Sequence, residues 1–225
     1  MEWVVEERSV NMKRLFVIVS VIFALLLVGC NTPKPNKQSE TGDFKFYSLE
    51  WGSDWETSQE NENLKNAKYE VSENGPRQIV KLEDLEYLGV KLEVVGLAFD
   101  IGEKAETNGL HSVFLQFSEE NEEILLTKLT ELYGEPQNAY TDKNGVENPI
   151  NPAGWVSSDT IEDILTEEEK EYYLDMLPTG YEQTRIDALL RSPLVSIRFD
   201  KDRNMVEFNG NNASVVSYIQ AELKK

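Results

Sequence analysis

The chain carries one cysteine, Cys30, and one histidine, His111, so thiol and imidazole chemistry is confined to two positions. A lone thiol forms no disulfide within the chain, and two such residues fall short of a cysteine–histidine zinc site. A serine–histidine–aspartate or cysteine–histidine relay would have to be built on His111. His111 shares its expected strand face with Val113, Leu115 and Phe117, which reads as a core or strand-edge histidine. Carboxylates are the abundant chemistry: Asp and Glu number 41 against 22 Lys and Arg, a net charge of −19. Paired carboxylates can hydrolyse glycosides, but these acids gather at expected helix starts, where dipoles and solvation account for them. An acidic surface also repels phosphate backbones, which excludes nucleic acid as a partner. Asp200-Lys201-Asp202-Arg203-Asn204 spaces its oxygens as a calcium loop does. Met205 stands at that loop's glycine position, however, and no bidentate Glu closes it; Asp142, Asn144 and Asn148 form a looser match. Gly102 and Gly109 are isolated turn residues rather than a phosphate-cradling loop. On these residues no catalytic group, metal site or cofactor is expected.

The surroundings of Cys30 are more specific. Lys13 and Arg14 precede Leu15 to Val28, a run of 14 residues without a charge. As a helix that run reaches about 21 Å, short of the roughly 30 Å hydrocarbon core, so it suits a secretion signal better than a permanent span. It also lacks the polar face of a helix packed on a core. Leu27-Val28-Gly29-Cys30 then resembles the lipobox of bacterial lipoproteins at all four positions. The resemblance implies cleavage between Gly29 and Cys30 and a lipid on the Cys30 sulfur, which places the mature chain on the extracytoplasmic face of the cell membrane. One acyl chain binds membranes marginally and two or more anchor stably. Residues 1–11 fit no signal, because Glu2, Glu6 and Glu7 precede the basic pair; translation is expected to begin at Met12, with residues 12–29 as the signal peptide.

After Cys30, residues 31–43 contain no large apolar side chain, so residues 30–43 read as the lipidated cysteine and a flexible linker. Its mean reach is about 20 Å. Residues 44–225 hold 36 acidic and 17 basic side chains, which keeps this part solvated and repelled from an anionic membrane face.

Any site must be positioned by the elements of residues 44–225, whose pattern is α+β: an antiparallel sheet with helices packed on one face. Phe44 to Trp51 reads as a strand, and Ser53 with Glu56 as a capping box opening a helix toward Leu64. Ala67–Val71 and Gln78–Leu82 flank an Asn74-Gly75 hairpin turn. Val90, Leu92 and Val94 alternate as a half-buried strand that Gly96 bends or bulges before Phe99. Ser118 caps a helix with Leu125, Leu129, Leu132 and Tyr133 inward, ended by Gly134 and Pro136. Asp142 to Gly145 is a turn, and Asp159 to Leu177 an acidic helix that a second capping box, Thr166 with Glu169, breaks in two. Leu194–Asp200 and Met205–Phe208 form a hairpin. Asn212 caps a last helix with Val215, Val216, Ile219 and Leu223 inward.

Trp51-Gly52, several strands, and a helix ending Leu132-Tyr133-Gly134-Glu135-Pro136 are similar to small secreted lipoproteins of Gram-positive bacteria, over about residues 44 to 136. Trp55 departs from that pattern, and Tyr140 to Tyr181 reads as an insertion. The expected role is a non-enzymatic binding or envelope-assembly module anchored to the membrane through lipid, with an envelope protein as a possible partner. The alternatives are a solute-binding lipoprotein of a transporter, a carboxylate-dependent cell-wall hydrolase, or an inhibitor of an extracellular enzyme. Trp155 and the pair Tyr172-Tyr173 are the candidate interaction surface if exposed.

Overall fold

The computed structural model describes residues 44–101, 109–142 and 144–224. Cys30, the signal and linker segments, Gly102 and Lys225 lie outside the described residues. Short β-rich segments build the sheet. The first hairpin pairs β1 (Lys68–Asn74) with β2 (Arg77–Glu83), and a small ribbon of β3 (Glu86–Tyr87) and β4 (Val90–Lys91) follows. Then come β5 (Val94–Asp100), β6 (Gly109–Gln116), β7 (Gln137–Thr141), β8 (Glu147–Val156), β9 (Ser196–Asp200) and β10 (Met205–Asn209). Apart from the ribbon they form one eight-stranded sheet in the order β1-β2-β5-β6-β10-β9-β8-β7, every pair antiparallel.

Alternation along the strands sorts the sheet into two faces. Val80, Leu97, Val113, Phe208, Ile197 and Trp155 lie opposite one another across six strands, and all are buried. Over this inner face pack α1 (Trp55–Ser58), α2 (Glu122–Tyr133) and the aromatic segment Phe44–Trp51. The chain is thus α+β, with an antiparallel sheet covered by helices on its inner face. Four more helices follow: α3 (Ile161–Ile164), α4 (Glu167–Met176), α5 (Gln183–Leu190) and α6 (Asn211–Glu222). Ile161, Leu165 and Tyr173 meet Val215, Val216 and Ile219 of α6 in a second apolar cluster.

Local chemistry explains most boundaries. The Thr166–Glu169 box forms as expected: Thr166 N donates to Glu169 Oε2 at 2.7 Å, and Glu169 N to Thr166 Oγ1 at 3.3 Å. In α2, Leu125 and Leu129 are fully buried, whereas Leu132 is 40% exposed and drops out of the inward stripe. Leu223 of the last helix is likewise 40% exposed. Phe44–Trp51 is not a strand: Tyr47 and Ser48 adopt φ of 50° and 61°, which turns the chain while Phe44, Phe46, Leu49 and Trp51 still bury. The cap of α1 is Asp54 rather than Ser53. Its carboxylate accepts from Thr57 N at 2.7 Å; hydrogen bonding from the Thr57 side chain, and then from this backbone N–H, holds its pKa below the usual range, and Ser53 Oγ donates to Glu50 O instead. The expected strand through Val94 is interrupted, so that Val95 and not Val94 faces the core.

Trp51-Gly52 acquires a structural meaning here. Gly52 N donates to Leu110 O, and Leu110 N to Ser53 O, which sews this segment to the start of β6. Gly109 beside it has φ +93°, and a Cβ there would stand 2.2 Å from Gly52 O. The Trp51 ring lies directly on Gly210, the residue between β10 and α6; its indole N–H donates to Phe44 O at 3.2 Å.

Candidate functional site

The outer sheet face carries a cleft of about 610 Å³. Its floor is one transverse row of the ladder: Ser112 of β6, Asn209 of β10, Ser196 of β9 and Val156 of β8 lie directly opposite one another. These side chains are short, so the floor is low. One wall comes from β8, which carries Ile150–Ala153 against the single Asn138 of β7; this excursion brings Asn148, Pro149 and Ile150 to the cleft. The end is closed by Ser192–Leu194 and the start of α6, held together by Asn212 Nδ2, which donates to Pro193 O at 2.8 Å. The opposite wall is Arg77, at the start of β2, and His111.

His111 reaches this cleft through a β-bulge. Ser112 pairs with Ala98 and Leu110 with Phe99, so His111 has no partner on β5. The extra residue breaks the period of two, and Leu110 takes the inward place beside Phe99. This corrects the expectation that His111 shares the core face of Val113, Leu115 and Phe117. It also moves the irregularity from Gly96, which pairs regularly with Phe114.

The imidazole is held on both sides. Nδ1 lies 3.0 Å from Ser112 Oγ in a hydrogen bond, and Nε2 lies 3.5 Å from Asp100 Oδ1. Nε2 is buried and makes no hydrogen bond among the described residues, so the Asp100 contact is one of charge and proximity, without hydrogen-bond geometry. Burial pushes the His111 pKa below its ordinary value; the Asp100 charge raises it, and Arg77 adds to the lowering. The ring is therefore uncharged at neutral pH. Asp100, His111 and Ser112 thus stand in the order of a relay, with one link made and one not, and Ser112 is only 5% exposed.

A second hollow of about 260 Å³ adjoins the first, lined by Asn151, Pro152, Asp200, Arg203, Met205 and Glu207; Arg198 lines both. Arg198 sits opposite Glu207 on the neighbouring strand, Nη1 to Oε2 at 3.8 Å.

The other sequence candidates fall elsewhere. Trp155 is 3% exposed and Tyr173 is 6% exposed, so neither offers the interaction surface expected of them, and Tyr172 packs half-buried against the second apolar cluster. They bury because Trp155 occupies an inward position on β8, donating to Gly134 O, while Tyr173 faces α6. Asp142 accepts the backbone N–H groups of Asn144 and Val146, and its other oxygen lies 3.9 Å from Arg191. Asp200 Oδ1 accepts from Arg203 N at 3.1 Å as part of the β9–β10 turn. Among the described residues no three His, Cys, Asp or Glu side chains come together as a metal site requires.

The chain matches no family model, no curated protein and no solved structure. The cleft is therefore read from its own chemistry. Its residues come from six strands, the Ser192–Leu194 connection and the start of α6, and sequence reasoning singled out only His111 among them, with Asn148 and Asn212 noted for other roles. The one local sign of the wall was Asn148-Pro149 to Gly154, which reads as turn chemistry inside a strand.

Proposed function

We propose that the chain is a lipid-anchored lipoprotein of the extracytoplasmic membrane face whose folded part is a non-enzymatic binding or envelope-assembly module. The observation that carries the reading is the lone cysteine at the fourth position of Leu27-Val28-Gly29-Cys30, directly after an uncharged run too short to span. The cleft supports the binding role, since about 300–1,000 Å³ is the usual size of a small-molecule site and this one holds about 610 Å³. Its position on a sheet face favours a small ligand or a projecting side chain over a solute trapped between two lobes. Among the described residues no helix is long and apolar enough to cross a membrane.

Metabolic labelling with radiolabelled palmitate tests it. The wild-type chain takes up label and partitions with membranes; Cys30→Ala does neither and accumulates with its signal segment intact. Label retained by Cys30→Ala, or wild-type chain recovered unacylated in the cytosol, would overturn the proposal.

A further inference from the structure

We infer that β1 is a docking edge for a second copy of this chain: two β1 strands pair antiparallel about Val71 and join two sheets into one. The inference goes beyond the binding-module reading and does not depend on the lipid anchor. It starts from a difference between the two edges of the sheet. β7 has five residues, and its register against β8 slips between Gln137 and Ala139, a bulge of the kind that blunts an edge. β1 has seven residues, each paired with β2 without a slip. It holds no proline, and its single lysine, Lys68, stands at the first position and bonds back to Asp84 at 3.1 Å. All seven residues are exposed, Tyr69 by 55% and Val71 by 39%. A long, regular edge with exposed apolar side chains is a template for another strand.

Alternation shows which backbone groups are open. Pro76 O accepts from Ile101 N on the β5 side, so even-numbered residues of β2 bond β5 and odd-numbered ones bond β1. The register then commits Lys68, Glu70, Ser72 and Asn74 to β2. It turns the N–H and C=O groups of Tyr69, Val71 and Glu73 to the other side, where no strand takes them up among the described residues. The side chains of these three continue the inner face, opposite Leu82, Val80 and Gln78, and the Tyr69 ring meets that of Trp55 with centroids 5.2 Å apart.

Self-pairing fits this edge in one register. Antiparallel copies centred on Val71 set Val71 opposite its equivalent, Tyr69 opposite Glu73, Glu70 opposite Ser72 and Lys68 opposite Asn74. Every residue of β1 is then paired, open groups meet open groups in about six backbone hydrogen bonds, two per pair, and no like charges stand directly opposite. A centre at Glu70 would set that carboxylate against its own copy, which like charges resist; centres at Tyr69 or Ser72 leave one end of β1 without a partner. A twofold axis through the sheet keeps each face on its own side. Each Tyr69 therefore lies diagonal to the other copy's Val71, and the four side chains form one apolar stripe across the joint. The two acidic chains repel and a lone strand pair is a small interface, so the association is weak.

Light scattering from the full-length purified chain in detergent follows mass against concentration. The chain should pass from monomer at about 1 µM to dimer by about 500 µM, and added salt should strengthen the dimer by screening the acidic surfaces. Val71→Lys and Val71→Glu each place like charges opposite one another at the centre and should weaken association about 5-fold or more; mixed one to one, the two should restore it. Ile79→Lys, exposed on β2 and on the outer face, should leave it unchanged, and thermal unfolding checks that each variant keeps the fold. Hydrogen exchange on the wild type needs no variant. The amides of Tyr69, Val71 and Glu73 should exchange freely in the monomer and gain protection in the dimer, while those of Glu70 and Ser72 stay protected in both. Protection of the first three already at about 1 µM would mean that the chain's own residues cover the edge, and the inference would fall. A chain still monomeric at about 500 µM with those amides open would leave the edge to another protein's strand and end the second-copy assignment. A dimer that Val71→Lys and Val71→Glu leave intact would place the contact elsewhere and end it too.

Discussion

Replacing Gly210 with alanine isolates the contact that fixes the end of the cleft. Gly210 has φ −112° and ψ 25°, a conformation open to any residue, so the substitution acts by contact alone. An added Cβ would stand 2.2 Å from Trp51 Cδ2 and 2.4 Å from Cε2 and Cε3. Ordinary carbon–carbon contact is about 3.5 Å, so ring and backbone must part by about 1 Å. The ring has little room to yield: Trp51 is 6% exposed, and its N–H is committed to Phe44 O at 3.2 Å. Overpacking of this kind costs about 1–3 kcal/mol, and loosening the indole hydrogen bond adds about 1 kcal/mol, giving about 2–4 kcal/mol in all. Equilibrium urea unfolding of the wild type, Gly210→Ala, Trp51→Ala and the double variant measures it. Trp51→Ala alone should cost about 3–5 kcal/mol. Because the double variant has no ring to strike, it should cost no more than Trp51→Ala, a coupling of about 2 kcal/mol or more. Gly210→Ala within about 0.5 kcal/mol of wild type, or two single costs that simply add, would refute the reasoning.

Two further outcomes follow from single contacts. Trp155→Phe removes the indole donor that meets Gly134 O at 2.6 Å at the end of α2, and should cost about 1–3 kcal/mol in urea unfolding; a cost near zero would mean that this bond contributes nothing net. For His111, burial lowers the folded-state pKa, so the unfolded chain binds the proton more readily. The stability from keeping the ring neutral is full above about pH 6.5 and is lost as pH falls. The stability of wild type relative to His111→Asn should therefore shrink between about pH 7.5 and about pH 5, and a gap that stays constant or widens contradicts the assigned direction.

Much of the fold is written in local pattern. The Thr166–Glu169 box, the β9–β10 hairpin, the Gly134 stop after α2 and the inward Val215, Val216 and Ile219 each rest on residues within a few positions of one another. Such signals depend on backbone geometry that neighbours dictate. The misreadings have an equally physical source. Phe44–Trp51 is aromatic and looks like a strand, yet what its residues require is burial, and a turned segment laid over the inner face satisfies that as well as a ladder does. Asp54 displaced Ser53 as the cap because either oxygen can reach the first free N–H, and sequence alone does not say which one closes the turn. Trp155 and Tyr172-Tyr173 read as surface candidates because aromatic residues serve interfaces and cores alike; only packing against α2 and α6 separates the two.

The cleft was hidden for a different reason. Ser112, Asn209 and Ser196 become neighbours only when three strands from distant parts of the chain align in one register, and short polar residues at alternate strand positions otherwise mark nothing but an outer face. The bulge conceals the site further. Strict alternation assigns His111 to the face of Val113, whereas one unpaired residue reverses it, and that reversal depends on how Gly109-Leu110 is tied to Gly52 and Ser53. The charge of the site runs against the composition as well. A chain at −19 invites the search for cation chemistry among its acids, yet helix starts and turns engage many of those carboxylates, and none is among the described residues that line the cleft.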